Sequence, residues 1–257
     1  MVYLYIILFV LALAVAALIF HMYKEANADR IVSHQLSFSD LPAGFDALTI
    51  FFISDIHRRS VSPDIIARAK EKADVVIIGG DLAEKGVKLE QVRENLVRLA
   101  SIAPAYFVWG NNDYELDRQK VKEIMEETGV EILENSWKSL SADQGDELIL
   151  AGVDDLAMGN ARPDEALEGA EPSFRVLVSH NPEVAYMLDE EHKVSLVLSG
   201  HTHGGQIRIL GYSPYKKGGI RKLGNTTLLV SNGYGTTALP LRLGAEAQSH
   251  LIVLRKE

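Results

Sequence analysis

The chain has 257 residues, 26 lysines and arginines against 35 acidic residues, and a formal net charge of −9. That length suits one large domain, or one domain with an anchor, and the acidic balance argues against a broad nucleic-acid-binding face, because phosphate contacts need clustered Lys and Arg. There is no cysteine, so a disulfide framework, a thiolate nucleophile and a cysteine-type zinc site are excluded.

The first predicted element is an apolar helix. Val2 to Phe20 contains no charged or amide residue, and a spanning helix needs about 20 such positions. Tyr3, Tyr5 and Tyr23 stand near its two ends, where interfacial aromatics are favoured. A cleaved signal peptide is the rival reading, with Ala26-Asn27-Ala28 as its cleavage site. The run lacks a basic leading segment, however, and its apolar core is longer than such peptides use. The expected division is a transmembrane anchor over 1–23, a linker over 24–35 and a globular domain over 36–257. Lys24 and Arg30 are the basic residues that flank the run, a bias that puts the C-terminal domain in the cytoplasm of a single-pass membrane protein.

Within the polar connector a short strand is expected at Arg30–Leu36. Strands then follow at Leu48–Ile53, Val75–Ile78, Ala105–Trp109, Arg175–Val178 and Val194–Leu198, each an apolar run. Ser62-Pro63-Asp64 starts a helix, with Ser62 as N-cap and Pro63 in the first turn. Leu89, Val92, Leu96 and Leu99 recur at helical spacing, which predicts a helix over Leu89–Ala100; Val121, Ile124 and Met125 mark another that ends near Gly129. This alternation resembles βαβ units with a parallel sheet. Shorter strands at Ile132–Leu133, Trp137–Leu140, Leu148–Val153, Ile207–Leu210, Thr226–Val230 and Leu251–Leu254 predict a second, mixed or antiparallel sheet.

Five strands lead into short polar blocks, the first four directly: Ser54-Asp55-Ile56-His57, Gly79-Gly80-Asp81, Gly110-Asn111-Asn112-Asp113, Ser179-His180-Asn181-Pro182 and, after Val194–Leu198, Gly200-His201-Thr202-His203. If those strands share one sheet, the blocks meet at its carboxyl edge, where open α/β sheets bind ligands. Each block alone is weak. A single Asp-x-His or Gly-Gly-Asp is an ordinary turn, and His180 alone could be a satisfied polar residue at a helix start. Together, Asp55, His57, Asp81, Asn111, His180, His201 and His203 offer seven ligands of imidazole, carboxylate and amide type. That mixture suits two divalent ions, with Mn, Fe, Zn, Co or Ni fitting better than Ca or Cu(I). Two such ions about 3.5–4 Å apart generate a hydroxide nucleophile and hold it in line. Two dications outweigh two aspartates and one hydroxide, so the site stays net positive and attracts a phosphate ester.

The order of these blocks resembles that of the calcineurin-like metallophosphoesterases, over nearly everything from about Leu36 onward. Leu41-Pro42, Gly204-Gly205-Gln206, Val230-Ser231-Asn232-Gly233-Tyr234-Gly235 and Leu239-Pro240-Leu241-Arg242 point further to the membrane-linked bacterial branch of YkuE-like and YpbG-like phosphoesterases. The resemblance implies an α/β fold, a four-layer α/β/β/α sandwich of two mixed sheets, preceded here by one N-terminal transmembrane helix. It puts Asp55, His57, Asp81 and His203 on one metal, and Asp81, Asn111, His180 and His201 on the other, with Asp81 bridging. Most of the family has a histidine where this chain has Asn112, followed by an acidic residue, here Asp113. An amide cannot act as a general acid, but it can hydrogen-bond a phosphoryl oxygen. That departure favours substrates with good leaving groups, such as pyrophosphate-linked or aryl diesters. Arg58 follows the first block and is read either as a further catalytic residue or as a solvated arginine. Arg208, Lys216, Lys217, Arg221 and Lys222 form a basic stretch, either a solvated hairpin or a loop that meets a phosphate or anionic headgroup.

The expected function is that of a membrane-anchored, metal-dependent phosphodiesterase or pyrophosphatase. Two other readings use the same residues: a non-catalytic interaction scaffold, and a metal-dependent hydrolase of non-phosphate substrates such as amides.

Overall fold

Apolar strands and amphipathic helices alternate along the first half of the chain, and the computed structural model, which describes residues 1–142, 145–171 and 173–257, stacks the elements in layers. In chain order the elements are α1 (Val2–Ala26), β1 (Ile31–Phe38), β2 (Thr49–Ile53), α2 (Pro63–Lys70), β3 (Val75–Gly79), α3 (Leu89–Ala100), β4 (Ala105–Val108), α4 (Arg118–Thr128), β5 (Val130–Ile132), β6 (Ser136–Ser141), β7 (Glu147–Gly152), α5 (Pro163–Ala166), β8 (Phe174–Val178), β9 (Val194–Ser199), β10 (Gly219–Leu223), β11 (Thr226–Val230) and β12 (Ser249–Lys256). The first sheet has the order β1-β12-β2-β3-β4-β5 and the second β10-β11-β9-β8-β7-β6. Both are mixed. The β12–β2 pair is antiparallel in the first sheet, as are the pairs at the two edges of the second, and the other pairs are parallel.

Alternate residues of each strand feed different layers. Ile50, Phe52, Ile77 and Val108 meet Leu150, Phe174, Val176 and Leu198 between the two sheets. Phe51, Ile53, Val76, Ile78 and Phe107 face the other way, onto Ile65 of α2, Leu96 of α3 and Val121 of α4. The outer face of the second sheet, with Ile149, Leu177 and Val197, is covered by Ala166, Leu167 and Val184. This is the four-layer α/β/β/α sandwich. Each fully buried Phe or Leu stabilises it by about 1.5–3 kcal/mol relative to exposure.

The helix signals operate as their chemistry requires. The Ser62 hydroxyl accepts from Ile65 N at 3.2 Å with Pro63 in the first turn, and α4 ends on Gly129 at φ 74°. Three expectations change. The five ligand-bearing strands do not share one sheet: β2, β3 and β4 lie in the first and β8 and β9 in the second. Likewise β5 and β12, expected in the second sheet, belong to the first. The five are buried on both faces and β5 is only three residues long, so their apolar pattern carries no record of which sheet they join. Second, Ile207–Leu210 is not a strand but an irregular segment with isolated bridges, and the second sheet's edge is instead β10. Third, the residues expected to link anchor and domain are mostly built in. β1 pairs along its whole length with β12, and Arg59 donates to Asn27 O, Ala28 O and Asp29 Oδ1.

Candidate metal centre

The carboxyl ends of β2, β3 and β4 point toward those of β8 and β9, so loops from both sheets converge. Hydrogen bonds lace them together within each sheet, Asp55 N to Gly80 O at 2.9 Å and Gly200 N to His180 O at 3.0 Å, and between the sheets, where His201 N donates to Asp55 Oδ1 at 3.0 Å. Asp55, His57, Asp81, His201 and His203 all adopt left-handed backbone, with φ between 49° and 69°. Non-glycine residues rarely do so, at a cost of order 1–3 kcal/mol each, and such strain gathers at functional sites. Two glycines are needed for close approach. A Cβ on Gly110 would lie 2.3 Å from Asp81 Oδ1, and one on Gly200 would lie 2.3 Å from Asp55 Oδ2.

Asp55, His57, Asp81 and His203 are buried, and each offers a ligand atom within 4.8 Å of the others. Their lone pairs crowd one another: His57 Nε2 is 3.0 Å from His203 Nε2, and His203 Nε2 is 3.4 Å from Asp55 Oδ1. On the far side of Asp81, His180 Nε2 lies 3.2 Å from Oδ2, and the His180 and His201 rings are 5.1 Å apart. His180 Nε2 and Asn111 Oδ1 are buried without a hydrogen-bond partner among the described residues. Orphaned buried acceptors are rare. Together with inward imidazoles and carboxylates they make a donor set that fits divalent metal ions.

Neighbouring groups orient the imidazoles. His180 Nδ1 is 2.9 Å from Gly79 O, so this nitrogen carries the proton and Nε2 faces inward. Glu84 Oε2 lies 3.0 Å from His57 Nδ1 in a bent contact, with the same consequence. Carboxylates and carbonyls behind ligating histidines fix the tautomer in this way. Glu84 also holds Arg58. Burial pushes His203 down to about 4, so it is neutral at physiological pH; burial also acts on His180, but the Asp81 charge prevails and raises it to about 10, so its Nε2 holds a proton toward Asp81 that a metal ion would displace. Burial and the nearby Asp81 push Asp113 up to about 7.

The structure brings all seven ligand residues to one locus but gives the other three candidates different settings. Asn112 lines the cleft, its amide Nδ2 donating to Asp81 Oδ2 at 2.6 Å and its backbone N to Oδ1 at 2.8 Å. Asp113 is fully buried behind it and accepts from Ala83 N and Gly110 N, so it braces two ligand loops. Arg58 is largely exposed on the outer side of Glu84. Glu84 and Arg242 are absent from the sequence-derived set. Fully buried Arg242 donates to Asn232 O, Gly235 O and His203 O, and its Nη2 is 3.3 Å from His203 Nδ1. The only sequence sign of Glu84 is its place three residues after Asp81. The site opens into a cleft of about 550 Å³, lined by the polar Asn111, Asn112 and His201 and by the apolar Ile207, Tyr215 and Leu239.

A sandwich whose two sheets converge on buried aspartates and histidines defines a metal-dependent phosphoester hydrolase. The model of the calcineurin-like phosphoesterases matches residues 48–205, and the chain belongs to that family. It is 43% identical over 248 residues to YpbG of Bacillus subtilis strain 168, covering 95% of each chain. It is 30% identical over 273 residues to a transmembrane protein with metallophosphoesterase domain from Danio rerio, covering 96% of this chain and 62% of that one. It is also 30% identical over 199 residues to the phosphodiesterase YaeI of Escherichia coli strain K12, covering 73% and 71%.

Proposed function

We propose that the chain is a membrane-anchored phosphodiesterase or pyrophosphatase that works with two divalent ions, manganese foremost and iron, zinc, cobalt or nickel as alternatives. The observation that carries this reading is the pair of ligand sets on either side of Asp81. Asp55, His57 and His203 crowd one side, and the unpartnered His180 Nε2 lies on the other. In this assignment Asp81 serves both ions, and Asn111 and His201 complete the second set. Bound there, the ions supply Lewis acidity and lower the pKa of water toward neutrality.

The chain's own residues do the rest. Glu84 and the Gly79 carbonyl favour the proton on Nδ1 of His57 and His180, so Nε2 is the nitrogen each ring would turn to a metal ion. Asp113 fixes the loops that carry Asp81 and Asn111. Asn112 stands at the cleft, where its amide is placed to donate to a phosphoryl oxygen as charge builds on it. It has no proton to give a leaving group, which favours esters of acidic alcohols and phosphoanhydrides. Arg58, held by Glu84 at the rim, adds positive charge. A non-catalytic scaffold has no use for left-handed backbone at five ligand positions, and family membership favours phosphorus chemistry over amide hydrolysis.

The anchor is α1, whose 25 residues span about 37 Å, enough for a bilayer core. We assign residues 1–23 to it and the catalytic domain to 36–257. The full chain, purified with Mn²⁺, is expected to turn over bis-p-nitrophenyl phosphate with higher kcat/KM than p-nitrophenyl phosphate. A preference for the monoester would overturn the diesterase assignment.

A further inference from the structure

Outside α1, Ile209, Leu210, Tyr212, Tyr215 and Leu239 are large apolar side chains more than half exposed, and they lie together; among the described residues only Val97 and Tyr186 are comparably bare elsewhere. Patches of this kind mark interaction sites. Three observations say what this one meets. First, it is continuous with the end of α1. Met22 O accepts from Arg242 N at 3.0 Å, Leu243 N donates to Gln206 O at 2.9 Å, and Arg208 N donates to Leu243 O at 2.7 Å. Met22 stands two residues past Phe20, the last of the apolar run, a rise of about 3 Å. The segment that carries the patch therefore sits at the headgroup boundary of a bilayer spanned by α1.

Second, the projection is firm. The Arg208 guanidinium donates to Gly204 O, Gly211 O and Tyr215 O, and the Gln206 amide donates to Thr237 O and Leu239 O. Arg208 is thus a staple of the loop and not a free phosphate contact. Lys216 and Lys217, by contrast, are exposed and form no ion pair among the described residues, so they suit an anionic headgroup region. Third, Tyr215 and Leu239 also form the apolar wall of the cleft that holds Asp81 and His201. One apolar surface runs from the membrane boundary to the metal centre.

From this continuity we infer that the 207–215 loop and Leu239 seat in the bilayer edge, and that the cleft takes the phosphodiester of a lipid whose alkyl chain stays along this wall. The inference rests on the anchored phosphoesterase reading above. In the reaction, the oxygen of water bonds to phosphorus and the bond from phosphorus to the leaving oxygen breaks. The leaving group departs with the electron pair, and a proton of the water passes to it or to solvent.

The test uses the full chain in lipid nanodiscs with Mn²⁺, and two esters with the same leaving group: hexadecyl p-nitrophenyl phosphate and ethyl p-nitrophenyl phosphate. The hexadecyl ester is expected to have the higher kcat/KM by about ten-fold or more, the effect of roughly two buried methylenes. Leu210→Ser with Tyr212→Ser, neither of which lines the cleft, is expected to erase most of that preference and leave the ethyl ester unaffected. Equal kcat/KM for both esters, or an unchanged ratio in the double variant, would overturn the lipid assignment while the phosphoesterase reading stands. If neither ester is hydrolysed, the catalytic reading falls and the substrate assignment with it. The membrane seat is read independently from Leu210→Trp in vesicles of lipids brominated high on the acyl chain. Quenching beyond that of the unsubstituted chain is expected, and its absence contradicts the seat.

Discussion

At the scale of single residues, Asp81 and Glu84 have the most to explain. Asp81 lies between two groups of imidazoles, and Asn112 holds it through both oxygens. Glu84 touches no substrate position; it faces Nδ1 of His57 on one side and Arg58 on the other. Loss of a carboxylate behind a ligating histidine lowers metal affinity by about 10–100-fold in comparable sites. Glu84→Gln is therefore expected to weaken Mn²⁺ binding by a factor in that range, measured by titration calorimetry. Unchanged affinity would mean that His57 is oriented by something else. The seven candidate ligands could be read because each lies in a block that follows an apolar strand. Glu84 could not, because a lone carboxylate in a loop has no spacing that announces a partner.

Among the elements, the segment from β11 to β12 carries most of the long-range order. It has little regular structure, yet Arg242 within it is buried and satisfies carbonyls from Asn232, Gly235 and His203. Burial brings its guanidinium down to about 10, which leaves it charged at neutral pH. Removal of the side chain strands several buried acceptors, each costing about 1–3 kcal/mol. Arg242→Ala is expected to lower stability by at least about 3 kcal/mol in chemical denaturation and to weaken metal binding through His203. A loss under about 0.5 kcal/mol, the range of ordinary surface substitutions, would contradict this role.

The same scale shows why some elements could be read and others not. α2 and α4 carry caps, Ser62 on one and Asp117 with Gly129 on the other, and α3 carries an apolar stripe, so their boundaries follow from local chemistry. Ile207–Leu210 alternates like a strand because its apolar residues face the cleft and the solvent, not a sheet. β10 was hidden because Gly219, Arg221 and Lys222 give a half-exposed edge strand no apolar pattern. The place of β12 in the first sheet depends on pairing with β1 and β2 across more than a hundred residues, which periodicity does not encode.

For the whole molecule, the end of α1 and the domain are tied together. Met22 and Ala26 are buried, Arg59 binds the chain just after α1, and Arg30 pairs with Glu25 and Glu246. On the anchored reading proposed above, Lys24 and Arg30 bias the orientation toward a cytoplasmic domain. A C-terminal green fluorescent protein fusion is expected to glow, and protease outside intact cells is expected to spare the domain. Digestion from outside would reverse the topology.

The central claim is that catalysis depends on divalent ions held through Asp81. The most direct measurement is turnover of bis-p-nitrophenyl phosphate by the full chain before chelation, after chelation and after Mn²⁺ is restored, with Asp81→Asn in parallel. Activity is expected to vanish with chelator and return with the metal, and Asp81→Asn is expected to stay inactive at every Mn²⁺ concentration. Full turnover in excess chelator, or a wild-type rate from Asp81→Asn, would contradict the account.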